Sequence, residues 1–269
     1  MQFLNAQGME MPVIGLGTWQ IVGEECREVV TRGLELGYRH IDTAQAYENE
    51  KDVGQALIAS GLRREEIFLT SKVWYTRLDY ERVKSSTEKS LERLRTDYLD
   101  LMLVHWPNPE YPLDRTLGAL MELQAEGKVR HVGVSNFPSR QLQDACEQAP
   151  IACLQIEYHP YLSQTTLLEL AQRRGVNVVA YSPLARGRVF DNATLRSIGE
   201  KYGKTAGQIG LRWLLQQGVG AIPKARSEAH LRENFDVFDF ELTEAEMKTI
   251  FGLHDEERII DPAWAPEWD

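Results

Sequence analysis

Four residues of the kinds that move protons lie along the first half of the chain: Asp42, Tyr47, Lys72 and His105. Three of them end short apolar runs, and Tyr47 follows Asp42 by one short loop segment. Burying these groups together is unfavourable unless they pair with one another. In such a set Asp42 would keep Lys72 charged and in place, and the Lys72 ammonium would lower the pKa of Tyr47 from its usual value of about 10.

This combination predicts proton transfer to a carbonyl oxygen. Tyr47 would act as the general acid, and His105 would donate a hydrogen bond that orients the carbonyl and stabilises the negative charge developing on its oxygen. The hydride for the carbonyl carbon must come from a cofactor, because no side chain supplies one. We therefore expect an enzyme that reduces small aldehydes or ketones.

Each residue also has a plainer interpretation. Lys72 and Asp42 would form a structural ion pair, His105 would be a core histidine, and Tyr47 would be an aromatic residue of a surface loop. The position of all four at the same end of consecutive predicted strands favours a shared functional site instead.

The elements that must position these residues alternate along the chain from residue 11 onward. Short apolar runs are separated by longer amphipathic segments, which is typical of βα units around a parallel sheet. The predicted strands are Val13–Gly17, Tyr38–Asp42, Ile67–Lys72, Leu99–His105, Arg130–Val134, Ala152–Ile156, Asn177–Tyr181 and Val219–Pro223. Eight strands predict a (β/α)₈ TIM barrel, an α/β fold, as a single domain over residues 1–269, with catalytic groups at the C-terminal strand ends.

The alternation of side chains along a strand sets which residues point into the barrel. Asp42, Lys72 and His105 point inward provided that the residues in phase with them do so as well. Those residues are Tyr38 and His40, Phe68 and Thr70, and Leu101 and Leu103.

The segments between the predicted strands show helical periodicity and residues typical of helix ends. Residues 79–95 and 163–174 are predicted helices, and Thr243 to Glu246 is typical of a capping box that opens a last helix. Glycines that would end helices follow four of the amphipathic segments, at Gly37, Gly61, Gly127 and Gly175. Residues 253–269 contain proline and tryptophan without periodicity, so we expect an ordered loop there.

Composition narrows the class of protein. The 269 residues are 43% hydrophobic, with 30 Lys and Arg against 40 Asp and Glu, and the formal net charge of -10 disfavours nucleic acid or anionic membrane as a partner. No apolar run approaches the roughly 20 residues of a membrane helix, and the N-terminus lacks the pattern of a signal peptide. Three cysteines without a CxxC pair are expected to be reduced thiols in a cytoplasmic protein.

Several segments resemble the signature segments of the aldo-keto reductase family, spread over nearly the whole chain. They are Asp42–Tyr47, Leu62–Lys72, Leu103–Pro107, Gly133–Phe137, Gln155, Tyr181–Leu184 and Ile222–Lys224. The stretch from Leu4 to Trp19 resembles the family's N-terminal β-hairpin and first strand. The terminal Ala265–Asp269 resembles a short-tailed bacterial branch that includes diketogluconate reductases and methylglyoxal reductases.

The resemblance implies that Asp42, Tyr47, Lys72 and His105 are the catalytic tetrad of an NAD(P)H-dependent reductase. It implies that Ser135, Asn136 and Gln155 hold the nicotinamide carboxamide, that Tyr181 stacks on the ring, and that Lys224, Arg226 and His230 surround the 2′-phosphate. Glu233 and Asn234 would lie near the adenine. The remaining residues expected at the cofactor are Thr18, Ser182, Pro183 and Leu184.

Two positions depart from the family pattern near the expected phosphate pocket. Ala225 stands where a phosphate-binding serine is usual, and His230 stands where an arginine is usual. Histidine lacks the permanent charge and the two-pronged donor geometry of arginine. We therefore expect NADPH to be preferred, with measurable use of NADH. Gly15 to Gly17 is only a fragment of a GxGxxG motif, so phosphate recognition is expected after the last strand.

Aromatic residues after predicted strand ends predict the substrate site. Trp19, Trp74 and Trp106 would form its walls beside His105, and a tail tryptophan, Trp264, would close it. Such a pocket binds by area and shape, so we expect a broad range of small carbonyl substrates. A monomer is the usual state in the family.

Two other functions stay open at this point. A metal-dependent barrel hydrolase would use His40, Asp42, His105 and His159 as ligands, but it leaves Tyr47 and Lys72 unexplained. A cofactor-sensing regulatory subunit would bind nucleotide tightly with little turnover.

Overall fold

The computed structural model describes residues 2–269, and it confirms the predicted barrel. The strands are β1 (Phe3–Ala6), β2 (Met9–Pro12), β3 (Leu16–Gly17), β4 (His40–Asp42), β5 (Phe68–Val73), β6 (Leu99–Val104), β7 (Val129–Ser135), β8 (Ile151–Glu157), β9 (Asn177–Tyr181) and β10 (Gly220–Ala221). The helices are α1 (Gly23–Glu35), α2 (Glu50–Ala59), α3 (Tyr80–Leu94), α4 (Leu113–Ala125), α5 (Ser139–Gln148), α6 (Thr165–Arg174), α7 (Ala193–Tyr202), α8 (Ala206–Gln216), α9 (Glu228–Phe235) and α10 (Glu244–Phe251).

Strands β3 to β10 form one parallel sheet in sequence order. The sheet closes on itself through the segment that precedes β3. The Gly15 amide donates to the Ala221 carbonyl at 2.9 Å, and the Ala221 amide donates to the Val13 carbonyl at 2.7 Å. These bonds join the first and last barrel strands, so the C-terminal ends of all eight strands meet around one opening.

The antiparallel hairpin of β1 and β2 lies at the opposite end of the barrel. Its residues line a small cavity together with Phe68, Asp100 and His131, which stand at or near the starts of their strands. Met9 and Met11, on β2, are fully buried. The hairpin predicted from the resemblance is confirmed, and it leaves the C-terminal face free.

Side chains that were predicted to point into the barrel do so where the chain has already entered a strand. His40 Nε2 lies 3.1 Å from Thr70 Oγ1 inside the barrel, and a Cβ added at Gly133 would lie 2.6 Å from Leu103 Cδ2. Tyr38 was expected to point inward as well, and that expectation is wrong. Its hydroxyl donates to the Leu231 carbonyl at 2.9 Å, in α9. The strand begins only at His40, so the alternation does not extend back to Tyr38.

The predicted helix signals are confirmed. Helix α3 begins after Asp79, whose side chain accepts from the Arg82 amide, and α6 ends at Gly175 with a left-handed φ of 64° that glycine adopts without steric cost. Thr243 and Glu246 form the reciprocal capping box of α10. Within residues 2–269, no helix combines the length and apolar character needed to cross a membrane.

Candidate active site

The four predicted catalytic residues meet at the C-terminal end of the barrel. Lys72, on β5, is fully buried and its Nζ donates to Asp42 Oδ1 at 2.5 Å and to the Tyr47 hydroxyl at 3.3 Å. Asp42 ends β4, and Tyr47 follows in a short 3₁₀ turn. His105 directly follows β6, and its ring meets the edge of the Tyr47 ring with centroids 5.6 Å apart. The parallel register therefore brings together side chains that are up to 63 positions apart in sequence.

The direction of the Tyr47 pKa differs from the prediction. Burial raises the pKa of Tyr47 well above 10, and the negative charge of Asp42 acts in the same direction. Burial also lowers the pKa of Lys72, although Asp42 opposes that change. The Lys72 ammonium is already paired with Asp42 and does not offset the cost of placing a phenolate in the interior. Tyr47 is therefore a neutral phenol, which is the form that a proton donor needs.

His105 is also neutral. Burial lowers its pKa well below 6.5, and the nearby Lys72 charge adds to the effect. Its Nδ1 is buried and finds no hydrogen-bond partner among residues 2–269. A neutral imidazole carries one N–H, which is the donor that a carbonyl oxygen beside Tyr47 would accept from.

Asp42 is held from two further sides. Gln155 Nε2, on β8, donates to Asp42 Oδ2 at 2.7 Å, so both carboxylate oxygens are bound. The backbone amide and the hydroxyl of Thr18 both donate to the Asp42 carbonyl. Because Thr18 is fully buried behind Asp42 and does not line the pocket, its expected contact with a cofactor stays a prediction.

The pocket has a volume of about 1130 Å³ and extends away from Tyr47 across the barrel opening. Asn136 has a left-handed φ of 63°, and its Nδ2 donates to the His105 carbonyl at 2.9 Å. The Tyr181 hydroxyl donates to Asn136 Oδ1 at 2.6 Å. The predicted cofactor residues that line the pocket are Ser135, Asn136, Gln155, Tyr181, Ser182, Pro183, Leu184, Lys224, His230, Glu233 and Asn234.

The far end of the pocket is basic. Lys224 stands just past β10, and its Nζ donates to Gln20 Oε1 at 3.0 Å. Burial lowers the pKa of Lys224, and the charges of Arg226 and Arg186 lower it further. Arg226 turns outward from the lining and donates to the Gln20 carbonyl at 2.8 Å. Its predicted contact with a phosphate stays a prediction.

Aromatic rings wall the other end. Trp74 meets the His105 ring edge-on at 5.2 Å, and Trp264, from the C-terminal segment, stacks on Tyr75 at 4.2 Å. Trp106 packs edge-on against Trp264 at 5.0 Å. Trp74, Trp106 and Trp264 line this end of the pocket, whereas the third predicted wall residue, Trp19, lines the pocket beside the basic end, with its ring 5.2 Å from both Lys224 Nζ and the Arg186 guanidinium.

Several lining residues were not predicted from the sequence. One group, Arg186, Gly187 and Phe190, lies in a 3₁₀ segment after β9, where Arg186 has a left-handed φ of 51°. The Arg186 guanidinium lies 5.2 Å from the Trp19 ring across the pocket. The glycine after Arg186 is a turn signal, but it does not reveal where the turn packs. The others are Gly17, Gln20, Ala46, Ile222, Pro223, Ile259, Ile260, Asp261 and Pro262.

The geometry gives no support to a metal centre. Among residues 2–269, no group of three or more His, Cys, Asp and Glu side chains is placed to hold a metal ion. His40 lies deep in the barrel against Thr70, and His159 pairs with Glu157.

The comparisons with known proteins agree with the geometry. The Aldo/keto reductase family model matches residues 13–255. Glyoxal reductase from Bacillus subtilis (strain 168) is 44% identical over 255 residues, which cover 94% of this chain and 92% of that protein. Methylglyoxal reductase DkgA from Escherichia coli (strain K12) is 40% identical over 259 residues, covering 94% and 93%. A crystal structure of a putative 2,5-diketo-D-gluconic acid reductase B matches with a TM-score of 0.98 at 44% identity, covering 100% of this chain and 98% of that one.

The match extends over the barrel and over every segment that holds the four predicted catalytic residues. The chain therefore belongs to the aldo/keto reductase family and is an oxidoreductase that reduces carbonyl compounds to alcohols with a nicotinamide cofactor.

Proposed function

We propose that this enzyme reduces small aldehydes and ketones with NADPH, glyoxal and methylglyoxal among them, and that Tyr47 delivers the proton. This proposal rests on one arrangement: buried Lys72 contacts both Asp42 and the Tyr47 hydroxyl. His105 and the aromatic wall lie beside them. Relatives named glyoxal reductase and methylglyoxal reductase support the substrate class.

The side chains of the site divide the work of the reaction. A carbonyl oxygen placed between Tyr47 and His105 would accept hydrogen bonds from both, which polarises the carbonyl. When bound, the nicotinamide supplies the hydride. The neutral Tyr47 phenol gives its proton to the oxygen, and the Lys72 ammonium at 3.3 Å stabilises the phenolate that is left. Asp42, bound by Lys72 and Gln155, keeps that ammonium in position.

The pocket suits a long nucleotide with an anionic end. Its volume of about 1130 Å³ exceeds what a small carbonyl compound needs. Lys224, Arg186 and Arg226 gather at the end remote from Tyr47, and their mutual repulsion would be relieved by a bound phosphate. Ser135 and Asn136 present polar side chains near Tyr47, where a carboxamide would lie.

The pH dependence of the reaction follows from the two neutral groups. The reaction needs the protonated Tyr47 phenol, which is lost only as pH rises through its raised pKa, and the neutral His105, which is lost only as pH falls through its lowered pKa. We expect kcat/KM for aldehyde reduction to stay within about threefold from roughly pH 6.5 to 9. A fall in kcat/KM with an apparent pKa near neutrality would instead mean that Lys72 lowers the pKa of Tyr47.

Cofactor preference depends on the basic end of the pocket. His230 lines it but is exposed and carries no permanent charge. We expect NADPH to be preferred, with kcat/KM for NADH no lower than about one thousandth of that for NADPH. That limit corresponds to a difference of roughly 4 kcal/mol in activation free energy. His230→Arg is expected to raise the preference for NADPH by roughly three- to tenfold.

Arg232→Ala provides the matched control for that variant. Arg232 lies on the same helix, α9, and its guanidinium pairs with Glu228 at 2.7 Å. This variant removes a charge without changing the pocket lining, so its cofactor preference should match that of the wild type. Shifts of similar size but opposite sign would point to long-range charge and not to a contact made at position 230, because His230→Arg adds a positive charge and Arg232→Ala removes one.

The proposed activity is tested by following NADPH oxidation with methylglyoxal, a diketogluconate and several aromatic aldehydes. The mostly aromatic wall predicts turnover of more than one of these compounds. Tight nucleotide binding without any turnover would favour the cofactor-sensing subunit. Activity on a single compound would contradict the broad substrate range.

The free thiols at Cys26, Cys146 and Cys153 fit a cytoplasmic site of action, and we propose a monomer.

A further inference from the structure

The C-terminal tail, residues 253–269, forms part of the pocket wall without regular secondary structure of its own. Ile259, Ile260 and Trp264 line the pocket, and all described residues of the tail lie outside helices and strands. A segment of this kind has no internal ladder of hydrogen bonds to fix it. Its position must therefore be set by contacts with the barrel.

One buried carboxylate makes the most deeply placed of these contacts. Glu157, the last residue of β8, is 0% exposed. Its Oε1 accepts from the Ile259 amide at 2.7 Å, and its Oε2 accepts from the Ile260 amide at 2.8 Å. His159 Nε2 lies 3.0 Å from the same Oε1, and the Tyr161 amide donates to His159 Nδ1 at 3.3 Å. This pattern places the His159 proton on Nε2, so the imidazole donates to Glu157.

One backbone bond also joins the tail to the barrel, since the Asp255 amide donates to the Tyr161 carbonyl at 3.0 Å, and the remaining side-chain contacts of the tail with the barrel lie at the surface. Arg188 pairs with Asp255 at 3.0 Å and with Glu257 at 2.6 Å, and all three side chains are at least 38% exposed. The Asp269 carboxylate accepts from the exposed Ser139 amide and hydroxyl. Exposed ion pairs stabilise little, whereas a buried carboxylate bound to backbone amides is a strong, charge-assisted acceptor. Glu157 is therefore the strongest polar anchor of the tail, beside the packing of Trp264 on Tyr75 and Trp106.

We propose that Glu157 is a positioning residue for substrate, which clamps the tail so that Ile259, Ile260 and Trp264 complete the pocket wall. It stands two positions after Gln155 on the same strand, and Gln155 binds the catalytic Asp42. Strand β8 thereby fixes both the reacting centre and the wall that faces it. The kinetic part of this inference rests on the proposed function, because substrate must reach that wall.

The test is Glu157→Gln, which keeps the shape of the side chain. The single side-chain oxygen of glutamine can still accept from one tail amide. The side-chain NH₂ must face the other tail amide, so one buried hydrogen bond is lost. We expect KM for a bulky aromatic aldehyde to rise roughly tenfold, and KM for methylglyoxal and kcat for both substrates to change less than about threefold. Affinity for NADPH should be unchanged.

A direct structural readout accompanies the kinetics. The Ile259 amide belongs to the peptide bond after Arg258, which is a trypsin site. We expect hydrogen exchange at Ile259 and Ile260, and tryptic cleavage after Arg258, to accelerate roughly tenfold or more in Glu157→Gln. Glu257→Gln is the matched control, since it removes an exposed tail carboxylate and should leave exchange and KM unchanged.

Unchanged exchange at Ile259 and Ile260 in Glu157→Gln would overturn the clamp. Equal losses of kcat and NADPH affinity with every substrate would also overturn it, because they indicate a general structural defect. If the wild type reduces neither aldehyde, the proposed function fails, whereas the exchange and cleavage measurements still decide whether Glu157 holds the tail.

Discussion

Tyr47→Phe is expected to lower kcat for aldehyde reduction by about 10²- to 10⁴-fold, the usual contribution of a positioned general acid. The substitution removes only the hydroxyl that Lys72 contacts at 3.3 Å and keeps the ring that packs against His105. The proton would then have to come from water, which lacks the Lys72 ammonium to stabilise the anion formed. Steady-state kinetics at saturating cofactor, with NADPH affinity measured separately, give the comparison.

Tyr75→Phe is the control for that prediction. Tyr75 stacks on Trp264 in the same aromatic wall, so this variant loses the same atom from a neighbouring ring. Its kcat should stay within about threefold of the wild-type value. A Tyr47→Phe enzyme with near wild-type kcat would remove Tyr47 from the reaction and transfer the role of proton donor to another group.

Lys72→Met is expected to lower the free energy of unfolding by about 3–5 kcal/mol and to abolish most turnover. Lys72 and Asp42 are 0% and 1% exposed, so removal of the cation leaves a buried carboxylate with only Gln155 as a side-chain partner. Urea unfolding of the wild type and the variant measures the loss of stability. A change below about 1 kcal/mol would mean that Asp42 does not depend on the ammonium.

The double variant Asp42→Asn with Lys72→Met separates folding from catalysis. Without either charge, the free-energy cost of burying an unpaired charge largely disappears, so most of the stability should return. Activity should not return, because the Tyr47 phenolate would still lack its neighbouring cation. Recovery of turnover together with stability would show that the pair acts on structure alone.

The barrel was predictable from the sequence because its signals are local. Eight apolar runs predicted the strands, and Gly37, Gly61, Gly127 and Gly175 follow helices with φ values between 64° and 105°. The meeting of Asp42, Lys72 and His105 followed from the parallel arrangement alone. Errors appeared where a pattern was extended past the end of an element, as at Tyr38.

Features that depend on long-range packing had no such signal. The contact of Glu157 with the Ile259 and Ile260 amides joins positions about a hundred residues apart, and it involves backbone groups that any residue type carries. The direction of the Tyr47 pKa depended on the balance between burial and the charge of Lys72, and residue types alone do not set that balance. Composition and spacing therefore indicated which groups meet but not their protonation.

The most direct test of the proposed reaction uses NADPH labelled with deuterium at both C4 positions and methylglyoxal as the acceptor. We expect the wild type to place deuterium on the carbinol carbon, with one carbonyl reduced for each NADPH oxidised, since the hydride must come from the cofactor. An alcohol product without deuterium on that carbon, or tight NADPH binding without any product, would contradict the account.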